Sequence, residues 1–432
     1  MHRPRSCSSF VWISTLLVLL SSISAMSASV VVWTTGHRSE VTKYLTEQLI
    51  PRAQKERRIS VVIENVRMDT ETRERLLSGQ GPDVLIDSLG NMVELGRTNQ
   101  LVQLTRYVSG WRDQRMLFSN LLQPPYPQLP RLDYEPLTMY GLPIEVSPSG
   151  IAYNKDAFAK AGLSPAAPPA SWEELESAAR KLALQFGGRT VRIGFDASWT
   201  SMDLFVNFLK LNNETGVTSD FRRARLDTQQ AIDTFSYLSR LYQAAYPPSE
   251  LLAGQPSRGN PSRFADGMTA MAYGGPNLAV STKERNPRWQ TELGFFAPRR
   301  SRSAAPAAWL SYKVIGIPNS TRDSRLAWEF IEWLMSPEIA VLYHVATGTL
   351  PSRSDVGSRI SKAAPHLAGW YDAIKYGFVI ETYPTIWNRN RDLILKGLTG
   401  QLDPRSVMYQ INGAYQLALD ELWADLQSSG WR

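Results

Sequence analysis

The sequence predicts an α/β fold carried by two hydrophobic cores. Three observations lead there. Strand-like and helix-like segments alternate from residue 30 to residue 86, the pattern of a parallel sheet with crossover helices. The chain has 432 residues, of which 43% are hydrophobic and 20% charged, which is globular composition but too long for one ordinary core. A stretch at 140–154, extended and punctuated by Pro143 and Pro148, reads as a passage from one domain to the next.

The N-terminal segment is expected to lie apart from the fold. Arg3 and Arg5 precede an apolar run at 10–20, broken only by Ser14 and Thr15, and small residues follow at 21–28. This is the layout of a secretory signal peptide, residues 1–28, and the run is too short for a comfortable membrane span. The only cysteine, Cys7, lies inside it. The mature chain then has no thiol, which excludes a cysteine nucleophile, a thiolate metal site and a redox role. A lipid-anchored protein would carry its cysteine just after the apolar run, so a soluble periplasmic protein is expected. The formal charge is +7, but acidic and basic residues are interspersed. The short clusters at Arg57-Arg58 and Arg299-Arg300 have no interleaved aromatics, so they read as solvated surface and not as a nucleic-acid face.

The elements follow in order. Residues 30–33 form a strand and 34–37 a loop. A helix covers 39–53, with Val41, Leu45, Leu49 and Ile50 on one face. Strand 59–63, helix 70–77 and strand 83–86 come next, the last ending in a polar loop at 87–91. In such sheets ligands gather at the carboxyl ends of the strands, so these loops point at one crevice. Residues 123–136 contain five prolines and read as an irregular excursion. Ser171 caps a helix over 172–184, with Glu174 completing a capping box. Strands are expected at 191–194 and 268–272. Further helices are expected at 203–211, 228–244, 324–335, 337–346, 389–396 and 406–427.

Four blocks occur in sequence order. The clearest joins Tyr140-Gly141-Leu142-Pro143 to Tyr153-Asn154-Lys155-Asp156, Ala161-Gly162-Leu163 and Ser171-Trp172-Glu173-Glu174-Leu175. The others are Gly81-Pro82-Asp83-Val84 with Gly96 and Leu101–Leu104, then Phe264–Met271, and finally 327–338 with Thr347–Pro351. Together they resemble the extracellular solute-binding proteins of carbohydrate ABC importers, the maltose-binding protein family. The resemblance implies a two-lobed periplasmic-binding-protein fold with discontinuous lobes joined by crossover hinge segments. Matching the segments assigns 29–144 and 314–347 to the first lobe, and 148–309 and 353–432 to the second. The hinges fall near 145–147, 310–313 and 348–352, and hinge closure on a ligand is the expected motion. The implied partners are a small carbohydrate or polyol and the permease subunits of the importer, with a monomeric chain and no cofactor. One departure stands out: the first strand runs into Thr34-Thr35-Gly36-His37 where the family carries a strongly acidic ligand loop.

A sugar site needs flat apolar faces and side chains that exchange hydrogen bonds with hydroxyls. Thr35 and His37, Asp87 and Ser88, and Glu145 and Ser147 occupy the loops and crossing at the crevice, although capping and turn duties suit the same residue types. By the resemblance, Trp199 and Trp387 are ligand-facing aromatics, with Tyr383 as fallback for the second; a core role at a helix start suits Trp199 equally. Asp196 either accepts from a hydroxyl or caps a helix. Trp309 stands before the second crossing. Gly275 and Asn277 belong to a strand-to-helix turn where a glycine lets a ligand approach the backbone and the helix start offers free amides. Trp328 and Trp333 fall on a helix with Phe330, Ile331 and Leu334, so packing is expected of them.

No catalytic triad, phosphate-cradling loop or zinc-ligand spacing is present in the sequence, which argues for a non-catalytic binder. A secreted glycoside hydrolase would need two carboxyl groups across a scissile bond, for which Asp87, Glu145 and Asp196 are available. The alternative within the binding class is a glycerol phosphate or sugar phosphate ester, which calls for a cleft arginine. Arg38, Arg67, Arg353 and Arg389 are the candidates, Arg353 being expected at the surface.

Overall fold

The computed structural model describes residues 28–122, 139–247, 261–287, 293–379, 387 and 389–428. The expected signal segment up to residue 27, the proline-rich excursion and Tyr383 lie outside the described residues. In chain order, β1 (Ala28–Thr35), β2 (Ile59–Val66), β3 (Val84–Ser88) and β4 (Gly141–Pro143) begin the first sheet. The two-residue β5 (Ser147–Pro148) leads out of it. A second sheet takes β6 (Gly150–Asn154), β7 (Leu184–Phe186), β8 (Arg189–Asp196), β9 (Thr269–Gly274) and β10 (Leu293–Phe296). The chain then returns through β11 (Ala308–Ser311) to β12 (Lys313–Gly316), and β13 (Gly377–Phe378) comes last.

The first sheet has the order β2-β1-β3-β12-β4. β1 pairs in parallel with β2 and β3, as the alternation of strand and helix predicts. β12 runs antiparallel to both β3 and β4, so the sheet is mixed. The reason is topological: β12 re-enters directly from the second sheet and needs no crossover helix. In the second sheet, ordered β10-β6-β9-β8-β7, only β8 and β9 are parallel.

The passages between the sheets lie side by side. β5 pairs antiparallel with β11, placing Ser147 opposite Ser311, and β13 adds to the other edge of β11. Val146 and Leu350 exchange backbone hydrogen bonds of 2.7 and 3.1 Å. Three separate stretches of chain therefore share one narrow strip.

The helices follow the apolar periodicity, with two local differences. The first helical stretch runs on to Arg57 and widens to a π-type turn at Leu45–Leu49, just before Pro51, which has no amide to donate. Val41, Leu45 and Leu49 are buried on its expected face. The helix expected over 172–184 is Trp172–Leu182, and β7 starts at Leu184. Gly187 and Gly188, at φ of 57° and 74°, turn β7 back onto β8, because both central positions of this two-residue hairpin need positive φ.

Each sheet has its own core. Trp328, Phe330, Ile331, Trp333 and Leu334 pack on the first, as their helical spacing predicts. Trp172, Phe195, Phe205, Phe208 and Phe235 anchor the second. A third cluster links Trp33, Leu85 and Met92 from the first sheet's side to Ala152, Leu310 and Trp370.

A carboxylate at the crossings and a polar wall on the second sheet

Glu145 sits on the first passage, between β4 and β5, and is 4% exposed. One of its oxygens lies 2.7 Å from His37 Nε2 and accepts from the Tyr343 hydroxyl. The other is 2.9 Å from Lys313 Nζ. His37 comes from the loop after β1, and Lys313 opens β12 after the second passage. Tyr343 lies on the helix Pro337–Thr347, which leads into the third. A single carboxylate thus gathers groups from all the segments that cross between the sheets. Burial alone would lift its pKa, but the hydrogen bond and charge of His37, the Lys313 ammonium and the Tyr343 hydroxyl outweigh it and hold the carboxyl at about 2. Burial, then the Glu145 charge, pushes the Tyr343 phenol well above its ordinary value. Neighbouring His344 is driven down to about 3, chiefly by burial, and its Nδ1 pairs with the Thr349 hydroxyl at 2.9 Å.

Beside this centre the ends of β1 and β3 meet. Thr35 Oγ1 donates to Asp87 Oδ1 at 2.7 Å, and Asn91 Nδ2 donates to Asp87 Oδ2 at 2.8 Å. Ser88 caps the helix Leu89–Arg97 through the Asn91 amide. The Lys313 ammonium also reaches the Thr35 carbonyl. The structure therefore brings Thr35, His37, Asp87, Ser88 and Glu145 into one neighbourhood.

The second group lies against β9. Ser147 is in β5, and a Cβ added at Gly275 would stand 2.5 Å from its hydroxyl, so the two residues approach closely and a larger residue there would turn that hydroxyl aside. Asn277, exposed, opens the helix Asn277–Arg285. Trp309, in β11, is partly buried. Its amide donates to Asn207 Oδ1 at 2.9 Å, and its carbonyl accepts from the Ser149 amide at 2.8 Å.

Asp196, Trp199 and Trp387 lie deeper. Asp196 Oδ1 accepts from the Ala197 amide and the Tyr246 hydroxyl. Trp199 donates from Nε1 to the same hydroxyl at 2.9 Å and meets Phe195 and Tyr242 edge to face. Trp387 is 2% exposed and stacks on Phe205 at a centroid distance of 4.7 Å. These three belong to the packing of the second core.

The arginines weighed for an anion are placed as follows. Arg353 is 2% exposed, contrary to the surface position expected, because Asp113, Asp355 and the Met335 carbonyl take its guanidinium inside. Arg38, half exposed, pairs with Glu284 at 3.0 Å. Arg67 and Arg389 are exposed. Among the described residues, no group of three or more His, Cys, Asp or Glu is placed to hold a metal ion, and no helix is long and apolar enough to cross a membrane.

Sequence reasoning missed Lys313 and Tyr343 as partners of Glu145, and it missed Asp203 and Asn207 on the helix Met202–Leu211. Asn207 carried a signal: it is the one amide in an otherwise apolar run from Leu204 to Leu209.

A family model described as bacterial extracellular solute-binding protein matches residues 49–369, well over half of the chain. A binding protein of Brucella abortus (strain 2308) is 25% identical over 215 residues, 49% of this chain and 50% of the relative. The sn-glycerol-3-phosphate-binding periplasmic protein UgpB of the same strain is 32% identical over 108 residues, 25% of this chain and 24% of that one. The chain thus spans at most about half the length of these curated relatives. Among solved structures, the sugar-binding protein MalE of Xanthomonas citri superposes with a TM-score of 0.75 at 18% identity, covering 93% of this chain and 99% of that one. An ABC transporter solute-binding protein of Thermotoga lettingae, bound with α-D-tagatose, gives 0.70 at 22% identity, covering 91% and 100%. At such identities the likeness establishes the two-lobed fold.

Proposed function

The chain belongs to the bacterial extracellular solute-binding proteins, and from that premise we propose that it captures a neutral sugar, disaccharide, glycoside or polyol for an ABC importer. In this reading residues 29–144 with 314–347 and residues 148–309 with 353–432 are lobes that close on the ligand about 145–147, 310–313 and 348–352. The importer's permease subunits receive the closed form. The protein works in the periplasm after loss of its signal segment, and it performs no chemistry on its cargo.

The observation that carries the neutral reading is the charge balance of the crevice. Its carboxylates, Asp87 and Glu145, already have partners, and the candidate arginines are paired or exposed. A phosphate ester calls for a buried charge-assisted fork of donors. A hydroxylated ligand needs only neutral exchange with groups such as Thr35, Ser147 and the indole of Trp309. The tagatose named for one structural neighbour and the sugar-binding name of the other agree with this.

The short likeness to UgpB supports the second reading, glycerol phosphate or a sugar phosphate. Ligand-induced thermal stabilisation separates the two. The mature chain is melted against glucose, maltose, a glycosylated polyol, xylitol and glycerol 3-phosphate. A saturating ligand at a hundred times its Kd adds about 2.7 kcal/mol, so a rise with a neutral compound is the expected result. A rise with glycerol 3-phosphate alone hands the function to the second reading.

A further inference from the structure

On the second sheet's side of the crossings, a chain of contacts links residues whose buried N–H groups lack partners. The Tyr273 hydroxyl donates to the Asp203 carbonyl at 3.4 Å and is hydrogen-bonded to the Ser149 side chain. The Ser149 amide donates to the Trp309 carbonyl, and the Trp309 amide to Asn207 Oδ1. Asn207 lies four residues after Asp203 on one helix, so the two side chains share a face. Of the residues in this chain of contacts, Asn207 and Trp309 carry buried N–H groups, Nδ2 and Nε1, that have no hydrogen-bond partner. Asn207 itself is fully buried. The Asp203 carboxylate is held only by amides of its own helix start, and burial lifts its pKa to about 6. No lysine or arginine pairs with it among the described residues.

We propose that Asp203, Asn207 and Trp309 form a subsite that binds one hydroxyl of the ligand. The stoichiometry matches. A hydroxyl has one proton to donate and two lone pairs to accept, against one carboxylate acceptor and two N–H donors. The amide and the indole donate to the hydroxyl oxygen, and the hydroxyl donates to Asp203. An unpartnered buried donor carries its full desolvation penalty, so a hydroxyl that accepts from these two N–H groups gains on binding. A phosphate oxygen would meet the Asp203 charge and is disfavoured. Ser149 and Tyr273 stand two residues along the chain from Ser147 and Gly275, which places the subsite on the wall of the proposed cleft. The assignment rests on the sugar or polyol reading above.

The test is calorimetric titration of the mature chain and its Trp309→Phe and Asp203→Asn variants with glucose, maltose and xylitol, alongside melting of each unliganded protein. Trp309→Phe removes the indole N–H and keeps an aromatic ring. The expected result is that a probe binding the wild type binds both variants at least tenfold more weakly. Unliganded Trp309→Phe melts only slightly lower than wild type, through the packing its smaller ring loses against the second core, since the indole N–H it loses had no partner. A probe that binds wild type and both variants within twofold overturns the subsite and leaves the sugar reading standing; the pocket then holds water only. Failure of all three probes to bind the wild type removes the reading and the subsite together.

Discussion

Glu145 shows how much one side chain does at the crossings. Its carboxyl is held at about 2 against an ordinary 4.5. A depressed folded-state pKa contributes stability that is complete above pH 4.5 and is lost as pH falls toward 2. The shift corresponds to about 3 kcal/mol. Glu145→Gln therefore lowers stability at pH 7 by about that amount, because Lys313 and His37 lose their shared partner, and flattens the acid limb between pH 4.5 and 2. Urea denaturation across that range checks both effects; an unchanged acid limb contradicts the assignment. Glu145, Thr35, His37 and Asp87 were legible in the sequence because they end strands or follow a proline-marked crossing. Lys313 and Tyr343 were not, since pairing across more than a hundred residues leaves no local trace. Arg353 was misread as surface because its acidic partner Asp113 is remote in sequence.

At the scale of elements, helix and strand positions were legible wherever apolar spacing was strict. The helices Thr70–Leu77, Gln229–Ala245 and Ser324–Leu334 start and stop within a residue or two of expectation. The hairpin of β7 and β8 was not, since Leu184, Gln185 and Phe186 are exposed and show no buried face; only Gly187-Gly188 marks it. The capping box is also rearranged. Ser171 accepts from the Glu174 amide as expected, but the Glu174 carboxylate reaches back to the Ala170 amide. Gly194, within β8, shows a close approach that periodicity does not reveal. A Cβ there would lie 1.8 Å from the Ala179 carbonyl oxygen of the helix Trp172–Leu182. Gly194→Ala must push helix and strand apart, at a cost of about 3 kcal/mol or more. A thermal melt within a degree or two of wild type would show that the helix yields freely.

Across the whole molecule, two sheets joined by three adjacent passages make closure about that strip the natural large motion. The two-lobed α/β architecture was legible from length, from the proline-marked crossing and from the family resemblance. The mixed direction of the first sheet was not, because a strand arriving from the other sheet looks locally like any other. The two sides meet in the third apolar cluster and in the pair that buried Arg353 makes with Asp113, and at the rim Arg38, after β1, pairs with Glu284 on the helix that follows β9. Both are half exposed, so the pair is worth well under about 1 kcal/mol and sets no strong bias toward closure. The most direct measurement is small-angle X-ray scattering of the mature chain, alone and saturated with the saccharide that stabilises it. The account predicts a smaller radius of gyration in the saturated sample. Saccharide binding with no change in dimensions would contradict capture between closing lobes.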